Sequence, residues 1–386
     1  MIGGKVLNYI NDRVKNIEIS GIRKFSNLVA PYKDVISLTI GQPDFPTPEH
    51  IKEAAKKAID DNYTVYTHNA GFIAVREAAC RYVNKKYQLY YNPADEVIVT
   101  TGASEAIDIA LRTILTEDSE VIIPAPVYPG YEPIITLCGA KPVYADLTNN
   151  DFRLTATILE KYITKRTRCI ILTYPSNPTG VTLSQGELRE LAELIKKHNI
   201  YVIADEIYSE LVFEQPHTSI ASYIRDQTIV INGLSKSHSM TGWRIGFLFA
   251  EKELCQQILK VHQYNVSCAS SISQMAALAA LTDGFDDAAP MREEYKQRRD
   301  YVYGRLQKMN LDVVKPEGAF YFFVKLPQGY DSSFDFALKL AEEGKVAVVP
   351  GSAFTPYGEG YFRISYAYSI ENLEQALNRL ETFLQR

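Results

Sequence analysis

Residues 228–246 read T-I-V-I-N-G-L-S-K-S-H-S-M-T-G-W-R-I-G. The opening T-I-V-I-N is a short apolar run rich in β-branched residues, the pattern of a buried strand. Lys236 follows a few residues later among small and hydroxylic neighbours, and Arg244 stands eight positions beyond it. A structural lysine prefers a solvated helix face, where its ammonium stays hydrated. A lysine delivered by the end of a buried strand faces a ligand crevice instead, because open α/β sheets bind ligands at the carboxyl ends of their strands.

Working outward, similar runs recur at Val97–Thr101, Val121–Ile123, Cys169–Thr173 and Tyr201–Ala204, with helical patterns between several of them. After T-T-G-A-S, apolar residues at Ile107, Ala110, Leu111, Ile114 and Leu115 mark one helix face. Ser184 and Glu187 form a capping box that opens a second helix, with Leu188, Leu191, Ala192 and Ile195 turned inward. Such alternation predicts a mostly parallel central sheet flanked by helices. From about residue 283 the character changes to a charged helix followed by G-A-F-Y-F-F-V-K-L, V-A-V-V-P-G, Y-F-R-I-S-Y-A and a last helix. The expected division is a large α/β domain over 46–282. A smaller α+β domain would be built from 1–45 and 283–386.

Composition limits the function classes. A net charge of −5 over 386 residues gives no general attraction to nucleic acid or to anionic membrane. No apolar run of about 18 residues occurs, so no membrane-spanning helix is expected. The start, M-I-G-G-K-V-L-N-Y-I-N-D-R, has no signal-peptide pattern. The five scattered cysteines form no C-x-x-C pair, which favours reduced thiols and a cytoplasmic location. The six histidines show no metal-binding spacing, so no metal site is expected.

Three polar signals follow strand-like runs: Asn177 in S-N-P-T-G, Asp205 and Tyr208 in A-D-E-I-Y, and Lys236. A fourth segment, I-V-T-T-G-A-S-E-A-I, passes from strand into helix, and the free N–H groups around Gly102, Ala103 and Ser104 would make an anion site. A single ligand that uses all four has a phosphate, a carbonyl that condenses with a desolvated lysine, and a ring nitrogen kept protonated by an aspartate. Pyridoxal 5'-phosphate meets that description.

Taken in order, S-N-P-T-G, A-D-E-I-Y and S-K-S-H-S-M-T-G-W-R-I-G resemble the class I/II aminotransferases of the fold-type-I pyridoxal-phosphate enzymes. The likeness runs from S-G-I-R-K-F and G-Q-P-D-F-P-T-P to Y-F-R-I-S-Y-A. It implies that Lys236 condenses with the cofactor and shuttles a proton, and that Asp205 pairs with the pyridinium. It implies that Asn177 and Tyr208 bond the phenolic oxygen, that Tyr128 stacks on the ring, and that Ala103, Ser104, Ser235 and Arg244 hold the phosphate. Tyr66 would reach the phosphate of a partner subunit, which makes the expected assembly a homodimer with shared active sites. Arg363 would clamp the substrate α-carboxylate, helped by Asn177 and the backbone at Gly41. Many relatives carry a serine where this chain has Gly233, and Ser235 would substitute for it.

The implied reaction moves an amino group from an L-amino acid to a 2-oxo acid, 2-oxoglutarate, by a ping-pong route. Within the family the likeness is to enzymes acting on N-acetyl-L,L-2,6-diaminopimelate, in lysine biosynthesis, and next to those acting on aromatic amino acids. Ile22, Arg23 and Phe25 are candidates for the side-chain pocket. A β-lyase on the same fold is an alternative, and a non-catalytic ligand-sensing module is a further one. Plainer readings stand beside these. Lys236 could lie on the surface, Asp205 could cap a helix, Asn177-Pro178 could be a turn and Ser235 a cap. Arg363 could form a strand-face ion pair, and Tyr66 and Tyr128 could simply pack among the 26 tyrosines. Arg112 reads as an exposed helical arginine more readily than as a substrate contact.

Overall fold

The computed structural model describes residues 10–386. Its twelve strands are β1 (Ile36–Ser37), β2 (Val97–Thr100), β3 (Glu120–Ala125), β4 (Lys141–Asp146), β5 (Thr167–Thr173), β6 (Tyr201–Asp205), β7 (Thr228–Gly233), β8 (Gly246–Phe249), β9 (Tyr321–Lys325), β10 (Val346–Ala347), β11 (Val349–Pro350) and β12 (Tyr361–Ser365). Seven of them form the main sheet, in the order β2-β8-β7-β6-β5-β3-β4. All neighbours are parallel except β8, which runs antiparallel to both β2 and β7.

Each central strand is apolar on both faces, as a sheet covered by helices on both sides requires. Side chains alternate across a strand. Ile170, Val202, Val230 and Phe249 therefore enter one core, while Ile171, Ile203, Ile229, Ile231 and Leu248 enter another. The helix Gly102–Ile114 sends Ile107, Ala110 and Leu111 into the second core. The helix Gln185–His198 opens on the expected box: Ser184 Oγ accepts from the Glu187 N–H, and the Glu187 carboxylate accepts from the Ser184 N–H.

A third core collects Phe25, Val29 and Leu38 with side chains of 291–383, around the antiparallel sheet β11-β12-β9 and the short parallel pair β1-β10. Tyr208, Leu211 and Phe213 also enter this core from the segment after β6. The site that follows lies where that segment meets the ends of β5, β6 and β7.

Two strands of the main sheet were not legible in the sequence. β4 is an edge strand with a proline and only one fully buried residue, so its apolar signal is weak. β8 begins at the glycine of R-I-G, and Gly246 packs so closely that a Cβ would lie 2.7 Å from Gly102 C.

Candidate active site

Adjacent parallel strands bring the first residues of the site into register. Thr173, the last residue of β5, pairs with Asp205, the last of β6, and Asp205 pairs with Ile231 of β7. Lys236 lies three residues past the end of β7, so all three side chains open on the same edge of the sheet. They line a cavity of about 430 Å³ together with Arg23, Gly41, Ala103, Ser104, Tyr128, Asn177, Tyr208, Ser235, Arg244, Tyr321 and Arg363.

Lys236 Nζ donates to Gly41 O at 2.7 Å, across 195 positions of sequence. Gly41 can approach so closely because it has no side chain: a Cβ there would lie 2.3 Å from the Tyr321 hydroxyl. Burial lowers the Lys236 pKa from the ordinary 10.5 to about 8. The guanidinium groups of Arg363 and Arg244 push it the same way, and Asp205 opposes them.

Asp205 is buried, and its carboxylate accepts from Tyr131 Oη at 2.7 Å and from the Ile207 N–H at 3.3 Å. The Tyr131 hydroxyl also lies 2.7 Å from Thr173 Oγ1. Burial pushes the Asp205 pKa up, and these hydrogen bonds hold it down. The Tyr208 hydroxyl is 2.7 Å from that of Tyr321 and belongs to the same wall. Tyr128 packs edge-on against Tyr131, with ring centroids 5.5 Å apart.

Arg363, on β12, is 2% exposed. It donates to Asn177 Oδ1 at 2.9 Å and to Thr39 O at 2.6 Å, and its guanidinium carbon sits 4.3 Å from the centre of the Tyr321 ring. Its Nε is buried without a hydrogen-bond partner. Such an orphan donor costs about 1–3 kcal/mol unless something meets it.

Arg244 takes a left-handed backbone conformation, φ 52°, and donates to Thr241 O at 3.0 Å. Its guanidinium lies against Gly102, where a Cβ would come within 2.6 Å of Nη2 and where φ is +78°. The helix that starts at Gly102 has no side-chain cap from Thr101, so the N–H groups near Ala103 and Ser104 open toward the cavity. At Gly233, a Cβ would lie 3.1 Å from both Ile207 Cδ1 and Ile245 O, a tight fit that favours the glycine seen here.

The structure thus brings together Lys236, Asp205, Tyr208, Asn177, Arg363, Gly41, Ala103, Ser104, Ser235, Tyr128 and Arg244, with Gly102 behind Arg244. It does not bring Tyr66 to the cavity of its own chain, for that side chain is 86% exposed. Arg112 pairs with Asp108 at 2.9 Å on its own helix and is not part of the cavity wall, which matches the plainer reading. Ile22 and Arg23 line the cavity, whereas Phe25 is buried in the third core. Sequence reasoning missed Tyr131, Thr173, Tyr321 and Thr39. Tyr131 stands three residues after Tyr128 and Thr173 ends the run Cys169–Thr173, both already noted; the other two carry no local signal.

Residues 33–380 match the family model for aminotransferase class I and II. A probable N-acetyl-LL-diaminopimelate aminotransferase from Bacillus subtilis is 62% identical over 97% of this chain and 95% of its own. Aromatic-amino-acid aminotransferase 2 from Thermococcus litoralis is 41% identical over 97% and 98%. The crystal structure of an aromatic aminotransferase from Pyrococcus horikoshii superposes with a TM-score of 0.91, at 39% identity, over 97% of this chain and 98% of that one.

The chain belongs to the class I and II aminotransferases.

It is accordingly a transaminase of the fold-type-I architecture. Members of this family usually carry pyridoxal phosphate, act on amino acids and oxo acids, and are usually dimeric. The residues present fit such a group. A buried carboxylate whose hydrogen bonds come from the Tyr131 hydroxyl and the Ile207 N–H suits a pyridinium N–H. The uncapped helix start beside Arg244 suits a phosphate. The lowered lysine suits condensation with an aldehyde, because only the neutral amine is nucleophilic. Among the described residues no group of three His, Cys, Asp or Glu is placed to hold a metal ion.

Proposed function

We propose that this aminotransferase moves an amino group from an L-amino acid to 2-oxoglutarate by a ping-pong route, with pyridoxal phosphate held at Lys236. The observation that carries the reading is one cavity in which a lysine of lowered pKa lies among Asp205, Arg244 and Arg363. Bound there, pyridoxal phosphate supplies an electron sink that acidifies the Cα–H of the substrate.

The chain's own residues do the rest. Lys236 Nζ takes the Cα proton, for which a pKa near 8 is well matched. Asp205, held by the Tyr131 hydroxyl, would pair with the ring N–H and keep that nitrogen protonated. Asn177 and Tyr208 would supply hydrogen bonds to the phenolic oxygen, Tyr128 would pack on the ring, and Ser104, Ser235, Arg244 and the helix start would hold the phosphate. Arg363 would meet the α-carboxylate with a charge-assisted fork. The large body 46–282 supplies most of these groups, and the smaller body of 1–45 and 283–386 supplies Gly41 and Arg363.

The 62% identical relative favours N-acetyl-L,L-2,6-diaminopimelate as the donor, with aromatic amino acids next. Tyr66, Val65, Tyr63 and Tyr264 are exposed apolar side chains. Their segments are tied by Ser271 Oγ to Tyr63 O at 2.5 Å and by Asn69 Nδ2 to Ser267 O at 2.7 Å. Such a surface supports a homodimer in which Tyr66 enters the neighbouring site. All five cysteines are free, in keeping with a cytoplasmic enzyme.

The test is the half-reaction. Purified protein saturated with pyridoxal phosphate is mixed with single L-amino acids, and the visible absorbance and released oxo acid are followed. Bleaching that reverses on adding 2-oxoglutarate is the expected result, and Lys236→Ala abolishes multiple turnovers. Turnover retained in Lys236→Ala would refute the assignment, and release of ammonia with pyruvate from a β-substituted amino acid would mark a β-lyase instead.

A further inference from the structure

The charges lining the cavity do not balance once the roles above are assigned. Four basic side chains, Arg23, Lys236, Arg244 and Arg363, and one carboxylate, Asp205, line it. Arg244 faces the phosphate position, Arg363 awaits the α-carboxylate, Asp205 faces the ring nitrogen, and Lys236 works as a neutral amine. That leaves Arg23 over. It is the third residue of the helix Gly21–Val29, its side chain is exposed, and it makes no hydrogen bond or ion pair among the described residues.

The cavity that Arg23 lines also carries apolar side chains. Ile22, Ile40 and Ile107 line the same cavity, and none of them offers a polar side-chain atom. A substrate that fills the cavity removes water from the guanidinium, which is costly unless an anion replaces that water. A fork of five donors meets a carboxylate best.

We propose that Arg23 is the receptor for a second carboxylate, at the far end of an aliphatic substrate chain whose first carboxylate is held by Arg363. The substrates favoured are amino acids and oxo acids with an ω-carboxylate, joined to the α-carbon by methylene groups that lie on Ile22, Ile40 and Ile107. This rests on the assignment of Arg363 to the α-carboxylate under the proposed function, and it adds the group that reads the other end.

The test is calorimetric binding to the enzyme saturated with pyridoxal phosphate, and needs no turnover. The probes are unreactive aliphatic dicarboxylates from succinate to pimelate, each paired with the monocarboxylate of the same chain length. For the best-fitting length the dicarboxylate binds at least about 10-fold tighter than its partner, as a charge-assisted pair supplies. Arg23→Gln brings that ratio to about one, Arg23→Lys restores part of it, and Arg23→Glu takes it below one. A wild-type ratio of one at every length overturns the inference, and so does a preference that survives Arg23→Gln. Failure of the underlying assignment shows differently: Arg363→Gln then leaves monocarboxylate binding intact, while the Arg23 ratio still decides the second subsite.

Discussion

The depressed pKa of Lys236 has a direct chemical consequence in the cofactor-free protein. With a pKa of about 8, about one lysine in eleven is a free amine at pH 7, against roughly one in three thousand for an ordinary lysine. That is about a 300-fold larger nucleophilic fraction. The assay is site-resolved labelling of Lys236 by a small amine-reactive reagent, quantified by mass spectrometry across the pH range. The logarithm of the rate rises with unit slope and bends to a plateau near pH 8, while surface lysines keep rising beyond pH 9. Arg363→Met removes one of the cations that repel the ammonium, so the bend moves to higher pH. Burial is the largest cause, so the bend stays below that of surface lysines. A wild-type rate that climbs with unit slope past pH 9.5 would refute the argument, because burial and the neighbouring guanidinium groups would then exert no net effect.

The same shift affects stability. Between about pH 8 and 10.5 the unfolded chain holds more protons than the folded one, so the stability of the cofactor-free wild type rises with pH in that window. Lys236→Met removes the penalty and stabilises the cofactor-free protein by about 2–3 kcal/mol below pH 8, allowing for an ammonium that borders water. The gain fades as pH approaches 10.5, and denaturant melts at a series of pH values check it; a gain that grows with pH carries the wrong sign. Arg363→Ala removes a charged clamp and lowers kcat/KM about 10- to 150-fold for α-carboxylate substrates, equivalent to about 1.5–3 kcal/mol. Steady-state kinetics with several amino acids tests it, and an unchanged kcat/KM for all of them excludes the role.

The sequence by itself determined the parts of this protein that depend on neighbours along the chain. Alternating apolar runs and helix faces defined the central strands, because burial on both faces leaves a continuous β-branched signal. The residues at or just past the ends of those strands, Asp205 and Lys236, could be named for the same reason, as could the helix start at Gly102. Tertiary structure decided which of these groups touch. Asp205 is fixed by Tyr131 from a different connection, and Lys236 reaches Gly41 from a remote segment. Arg363 and Asn177 meet across 186 positions. The pKa of Lys236 is likewise a property of the assembled cavity, since desolvation and repulsion by Arg363 exist only once β12 has brought Arg363 to the cavity that Lys236 lines. Local pattern records what is buried, whereas the chemistry of the site arises from charges and hydrogen bonds between segments that no local pattern links.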